Sequence, residues 1–520
     1  MKKKEKIVLT MLCTFVFILV TLATSTKEAN SGAAPASSKK VIVVLATEPD
    51  TLDMPVSKME PVSGPVAENI SERLIGVSPA GQYVPVLSTS WKVSPDGKEI
   101  EFALRKGVKF HSGDPFTAKD VEFSHNRSLK VSASYQRASR LLDTLEILDD
   151  YRIKFKFKRP DAQFIPNRGP VIVSKSYYDR VGEERYLKQP SGTGPYQFAR
   201  WEPGQYIEMK VNENYWGSVP SVREARFVFV KEDMTRVSML KAGEVDMIAD
   251  CPFPLVKDIE GAGFKTLKIP AHPCTSVQFH TYNPKVPWFD KRVRQAIAYA
   301  IDGDAIVKNF FYGIPGRYAA LAPWELGYDP ELKPYPYDPE RAKKLLAEAG
   351  YPKGFDIPLY YFVGRVSGQK ETTEAVALYL NAIGIRCKVE GIEAVKFLEK
   401  IREWHKSQDT LFVGVTTVPI AHYPEPTQAL ETGYYSESAI SLYRNPEFDK
   451  AMEAARATLD ESKRAGLIRK AVSILHEDVA MVPIWANITV FGMKKNVDFK
   501  PPMRGPSYPL VLVKDIKITD

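Results

Sequence analysis

Along residues 89–127 apolar and polar positions alternate twice before the period lengthens. Trp91 and Val93, then Ile100, Phe102 and Leu104, fall at every second position. That is the spacing of half-buried strands, whose side chains point to opposite faces in turn. Between them Ser94-Pro95-Asp96-Gly97 supplies turn chemistry, Pro pre-setting φ and Gly accepting a positive φ. After Phe110 a second turn, Ser112-Gly113-Asp114, leads into Thr117-Ala118-Lys119-Asp120, a capping-box-like helix start. The pattern predicts a hairpin followed by a helix, and it carries no catalytic constellation.

Elsewhere the periods alternate in the same way. The continuous apolar run at 41–46 suits a strand covered on both faces. Helical spacing surrounds Val66, Ile70, Leu74 and Ile75, and a helix is expected over 131–142. Strands are expected at 151–157, 206–211 and 276–280, with a strand–helix–strand unit over 226–230, 234–242 and 245–248. Asp290 caps a helix striped by Val293, Ala296, Ile297 and Ala300, and Asp338-Pro339-Glu340 starts another that Gly350 ends. The succession strand 359–363, helix 371–383, strand 385–390 argues for a second α/β unit. Helices at 448–459 and 462–476, strands at 482–485 and 489–493, and a closing strand near 510–513 complete the reading.

A chain of 520 residues, 44% hydrophobic and 26% charged, has ample material for more than one domain. Of the formal charge of +8, Lys2, Lys3, Lys4 and Lys6 against Glu5 supply +3, leaving +5 spread over the rest. Acids and bases are interspersed, so no nucleic-acid footprint is present. The basic start, the apolar run at 7–23 and the small residues Ala23-Thr24-Ser25 read as a signal peptide over 1–25, cleaved after Ser25, with a flexible leader at 26–40. An uncleaved membrane anchor is the competing reading. Cys13 lies inside the apolar run, so no lipoprotein site is read there. Beyond it stand Cys251, Cys274 and Cys387, and an oxidising compartment permits one disulfide, with Cys251 to Cys274 the favoured pair.

Catalytic spacings are missing. No serine stands in a nucleophile elbow, no Gly-Lys-Ser/Thr phosphate loop occurs, and His476-Glu477 lacks the second His of a zinc-protease helix. Gly192-Thr193-Gly194-Pro195-Tyr196 has Gln197 where a dinucleotide fingerprint needs its third glycine. His111, Asp114 and His125 belong to a turn and a helix. Cys251, His272, Cys274 and His280 are soft ligand types at a spacing that fits no closed zinc site, which leaves Cys251, His272 and Cys274 as weak metal candidates. No cofactor and no catalytic residue is expected.

The stretch 89–127, with Gly192-Thr193-Gly194-Pro195-Tyr196, Asn214-Tyr215-Trp216-Gly217 and the loop Thr47-Glu48-Pro49-Asp50-Thr51-Leu52-Asp53, resembles the bacterial extracellular solute-binding proteins of family 5, the peptide- and nickel-type receptors of ABC importers. The resemblance implies an α/β fold, periplasmic binding protein type II-like, with two lobes and an inserted mainly β subdomain. Lobe I would be assembled from 41–73, 222–285 and 504–520, the insert would span 74–221 and lobe II 286–503. Ligand would bind between lobes that close by a hinge motion. The implied partners are a small-molecule or peptide-like ligand and ABC permease transmembrane subunits, with a monomeric receptor in the periplasm and no nucleic acid.

Departures from the family pattern bear on the ligand. His422, just before Tyr423-Pro424-Glu425-Pro426-Thr427, stands where peptide-binding relatives carry an Asp that holds the peptide α-ammonium. Removing one partner of such a buried pair costs about 3–5 kcal/mol. Ala394 stands where dipeptide-binding relatives carry a Trp, and Thr416 and Thr417 lie near the place of another missing Trp. Arg365 matches an Arg that engages an acidic group, and its planar fork suits a carboxylate or phosphate. Tyr423, Tyr434 and Tyr435 offer aromatic faces or hydroxyls. Glu48 and Asp50 in the first cleft loop, and Thr275 and Ser276 at a strand start, complete the candidates. A ligand presenting an anionic or polyhydroxy group is expected, rather than an ordinary peptide with a free N-terminus. Peptide, metal-chelate (nickel-type), and chaperone-like or sensory roles are the alternatives.

Overall fold

Strand Lys40–Leu45 is flanked by parallel partners on both sides, Glu224–Phe229 and Met247–Ile248. It is a central strand, and Val41 and Val43 on one face and Val44 on the other are fully buried in separate core clusters, as a continuous apolar run requires. The computed structural model describes residues 39–519 apart from 59, 79–81, 168, 282, 364–367, 394–395, 397–398, 402, 404–412, 418–424 and 502–510. Arg365, Ala394, His422, Tyr423 and the expected signal peptide lie outside the described residues. Among those described, no helix is long and apolar enough to cross a membrane.

The Lys40–Leu45 strand sits within a ten-stranded sheet. Two long antiparallel strands, Lys265–Phe279 and Met481–Met493, run from one half of it into the other. Their 265–270 and 488–493 ends adjoin the half built around Lys40–Leu45, where Met247 and Ile248 pair with Met493 and Gly492. At the other end Thr275 to Phe279 pairs with Val413–Thr417, which leads on to Phe355–Val363 and Ile385–Glu393. The ladder between the long strands breaks register between Pro270 and Cys274, which is where the two halves of the sheet meet. The sequence pattern separates 482–485 from 489–493 because Asn487 interrupts the apolar run. In the fold the two are one strand, since Thr275 Oγ1 meets the buried Asn487 side chain at 3.0 Å.

A separate four-stranded sheet, Ser88–Val93, Glu99–Leu104, Arg152–Phe157 and Leu142–Asp149, carries its own core around Phe102, Phe155 and Phe164. The predicted hairpin and helix are present. Gly97 takes φ 70° in the turn, and Thr117 and Asp120 form the capping box of helix Ala118–Val131. The helix expected over 131–142 is corrected: helix Ala118–Val131 ends there, a short helix covers Ala133–Ala138, and Leu142 opens a strand. The spacing of Leu142, Leu145 and Ile147 is irregular for a strand, and pairing with Arg152–Phe157 through two register shifts decides for one. The closing strand is Ile516–Ile518, paired with Val497–Phe499, rather than 510–513.

Two sequence motifs converge on one buried carboxylate. Glu72 accepts from Thr193 Oγ1 at 3.0 Å, Tyr215 Oη at 2.7 Å and Trp216 Nε1 at 2.8 Å. Burial pushes this carboxyl up, against the pull of Lys514 and the three donors. Gly194 donates its N–H to the Ile70 carbonyl at 2.8 Å, and a Cβ on Gly194 would stand 2.5 Å from the Asn69 oxygen. The GTGPY segment is thus a backbone-to-backbone seam that a side chain would wedge open.

Candidate functional site

The loop after Lys40–Leu45 is tied down before it reaches any solute. Asp50 accepts from Ser57 Oγ, Ser63 Oγ and Lys58 N–H, each at 2.8 Å. Burial alone would raise its carboxyl, but these hydrogen bonds outweigh it and hold it low. Glu48 accepts from Trp201 Nε1 at 2.7 Å and from Gly204 N–H at 3.0 Å. Asp53 takes a two-pronged ion pair from Arg127, at 3.2 and 2.5 Å, and the guanidinium lies 5.0 Å from the Tyr178 ring. The loop is thereby fixed to helix Ala118–Val131 of the inserted sheet.

What the fixed loop borders is a crevice. Met54 and Pro55 line it from the loop, Ser128, Ser132, Tyr135 and Ala138 from the helical segment, Asn167 and Val171 from beyond it, and Gln428 from the first turn of helix Thr427–Tyr434. Glu60 and Arg73 complete the lining. The Arg73 charge is already matched: its guanidinium lies 3.6 Å from Glu60 and 3.6 Å from Glu68, and it donates to the Gly169 carbonyl at 3.0 Å. Tyr135 Oη lies 2.9 Å from His125 Nδ1. Apolar side chains and hydrogen-bonding side chains share its walls.

Behind Gln428 a buried charge cluster joins the same two parts of the chain. Arg456 donates to Glu431 Oε2 at 2.6 Å, to Asp161 Oδ2 at 3.1 Å and to the Ala138 carbonyl at 3.2 Å. Arg140 adds a second contact to Glu431 at 3.0 Å. Ala138 lines the crevice, and Glu431 lies one helical turn beyond Gln428.

The residues singled out in the sequence are scattered relative to this crevice. Glu48 and Asp50 hold the loop instead of lining the crevice. Thr275 and Ser276 sit in the long strand opposite Thr417 and Thr416 in register. Thr275 is spent on Asn487, while Ser276 Oγ is buried without a hydrogen-bond partner. Tyr434 is a core residue, its hydroxyl 2.8 Å from Met481 Sδ, and Tyr435 donates to Glu453 at 2.5 Å. The expected disulfide is corrected: Cys251, Cys274 and Cys387 are free. Burial pushes the Cys251 and Cys274 thiols up to about 12, which suits neither a thiolate ligand nor an exchange partner. Cys251 is packed in the core, and among the described residues no group of three or more His, Cys, Asp or Glu is placed to hold a metal. The crevice residues Tyr135, Asn167 and Gln428 were not found from the sequence. They lie on three segments that only the fold brings together, and the single hint was the unusual density of polar residues at 132–139 beside a capped helix.

Comparison with known proteins fits this geometry. The family model described as bacterial extracellular solute-binding proteins, family 5 Middle, matches residues 82–440. The chain is 30% identical to heme-binding protein A of Haemophilus influenzae over 77% of this chain and 78% of that one. It is 29% identical to the dipeptide-binding protein of Escherichia coli, over 82% of this chain and 85% of that one. Among solved structures it is similar to the ABC transporter-associated periplasmic binding protein DppA from Helicobacter pylori in complex with peptide STSA, with a TM-score of 0.80, 25% identity, and coverage of 92% and 98%. The type II periplasmic binding protein fold implied by the sequence motifs is the fold observed.

Proposed function

From the premise that this chain belongs to the bacterial extracellular solute-binding proteins of family 5, we propose that it is the periplasmic receptor of an ABC importer. It captures a small solute between its lobes and hands it unchanged to the membrane permease. The crevice carries this reading, because its walls come from the first loop, the inserted subdomain and helix Thr427–Tyr434, which a hinge at the two long strands would bring together or part. The chain acts as a monomer, reaches the periplasm through a signal peptide over 1–25, and performs no chemistry on what it binds. Lobe I takes in 41–73, 222–285 and 504–520, the insert 74–221 and lobe II 286–503, except that strands Tyr196–Glu202 and Tyr206–Val211 pair into the sheet of lobe I beside Glu224–Phe229 and so go with that lobe.

The ligand presents an anionic or polyhydroxy group and is not an ordinary peptide with a free N-terminus. Support comes from His422 in place of an acid, from Ala394 in place of a Trp and from the retained Arg365. Titration calorimetry across dipeptides, oligosaccharides and nickel chelates tests this. Dipeptides bound with submicromolar affinity would overturn the ligand assignment and favour the peptide reading, to which the 29% identical dipeptide-binding relative points.

A further inference from the structure

Three polar atoms of crevice-lining residues lack a hydrogen-bond partner, one of them Arg73 Nε. Asn167 Nδ2, a donor, and Gln428 Oε1, an acceptor, are both buried without a hydrogen-bond partner, and both residues line the crevice. Gln428 is only 8% exposed. Buried polar atoms of a native fold are almost always satisfied, and one left unpaired forfeits its hydration for nothing. A donor and an acceptor orphaned on different segments of one crevice therefore mark where a bound molecule completes the hydrogen bonding. Arg73 offers no net charge to an anion, since Glu60 and Glu68 each lie 3.6 Å from its guanidinium, although its Nε is left as a further donor without a hydrogen-bond partner. Met54, Ala138 and Val171 supply the apolar remainder of the wall.

We infer that Asn167 and Gln428 are specificity-determining residues of the receptor, together gripping an uncharged moiety of the solute that presents an acceptor to Asn167 Nδ2 and a donor to Gln428 Oε1. The inference rests on the receptor function proposed above and concerns this end of the crevice. An amide group and a hydroxylated carbon chain share the required chemistry.

The test is native mass spectrometry on the full secreted chain and on Asn167→Leu and Gln428→Met, following the small-molecule adduct that the chain itself retains. Sorbitol and N-acetyl-L-alaninamide, each beside its anionic counterpart gluconate or N-acetyl-L-alanine, are then used to displace that adduct. Each substitution is expected to weaken retention about tenfold, the loss of one hydrogen bond. The adduct-free melting temperature should hold or rise, because an unpaired buried amide has been removed. Sorbitol should displace the adduct if the moiety is a hydroxylated chain, and the amide if it is an amide. Retention unchanged in both variants overturns the inference while leaving the receptor standing. Displacement by an anionic probe without its neutral counterpart, or by none of the four, overturns the uncharged class. A wild-type chain that retains no adduct overturns the receptor reading itself, and the inference with it.

Discussion

Arg456 and Asp161 form an ion pair with Nη2 3.1 Å from Oδ2, with side chains 2% and 0% exposed. Helix Pro446–Ala457 supplies the Arg, and the loop after strand Arg152–Phe157 of the inserted sheet supplies the Asp, so the pair crosses between two separately cored parts of the chain. A Glu431 carboxylate on the other side of the guanidinium and the Ala162 N–H on the Arg456 carbonyl close the contact. The pair is sealed from water directly behind the crevice, and opening the crevice would have to expose it.

Removing one partner of such a pair strands a buried charge, at about 3–5 kcal/mol. The chain has a cheaper response, which is to part the two segments and let water reach the remaining charge. Asp161→Asn and Arg456→Met are therefore expected to raise the radius of gyration in small-angle scattering and to weaken solute capture about tenfold. A fall in melting temperature with no change in scattering would show that the cluster is packing alone.

The protein is expected to lose stability in mild acid through two histidines. Burial pushes His111 and His125 down to about 4, against an ordinary value of 6.5. Between these values the unfolded chain takes up protons that the native chain refuses. Their contribution is complete above about pH 6.5 and is lost as the pH falls toward about 4, on the order of 3 kcal/mol each at full effect. Glu72, raised by burial, acts with the opposite sign, so the difference between chains is the useful quantity. His111→Gln should flatten the melting temperature against pH between 6.5 and 4. Identical slopes would contradict the assignment.

The GTGPY seam predicts a severe penalty for a single methyl group. In Gly194→Ala the Cβ would stand 2.5 Å from the Asn69 oxygen and 2.6 Å from the Ile70 oxygen, both backbone atoms. The expected loss is at least about 3 kcal/mol in urea unfolding. Gly204→Ala serves as the contrast. Its φ of 74° still disfavours a side chain, but its Cβ meets open space, and about 1 kcal/mol is expected.

Free thiols give a prediction for chemistry. Cys387, like Cys251 and Cys274, has its thiol pushed up to about 12 by burial. Iodoacetamide at pH 8 should label the native protein slowly and, after denaturation without reductant, should add to all three of these cysteines. Two of them resisting label until a reductant is added would restore the disulfide.

Much of the fold was legible in the sequence, because strand and helix periods are local. The alternation at Ile100, Phe102 and Leu104, the cap at Asp290 and the Pro339 helix start all appear in place. Where long-range pairing decides, the sequence misleads: Leu142 reads as helix until Arg152–Phe157 lies beside it, and Asn487 reads as a break until Thr275 meets it. The site was less legible for the same reason. Glu48 and Asp50 look free in a loop, and only the fold shows Trp201 and Ser63 already holding them. Asn167 and Gln428 have no motif at all. Their unanswered polar atoms, on two segments of one crevice, are a property of three-dimensional surroundings alone.

Capture and release of an unaltered solute is tested most directly by mass. The solute freed by denaturing the secreted chain is weighed, added back to fresh protein, incubated for a day and weighed again. One solute per chain is predicted, with the same mass before and after and a smaller radius of gyration in the bound chain. A mass that changes on incubation, or a chain that never holds a solute, would contradict the account.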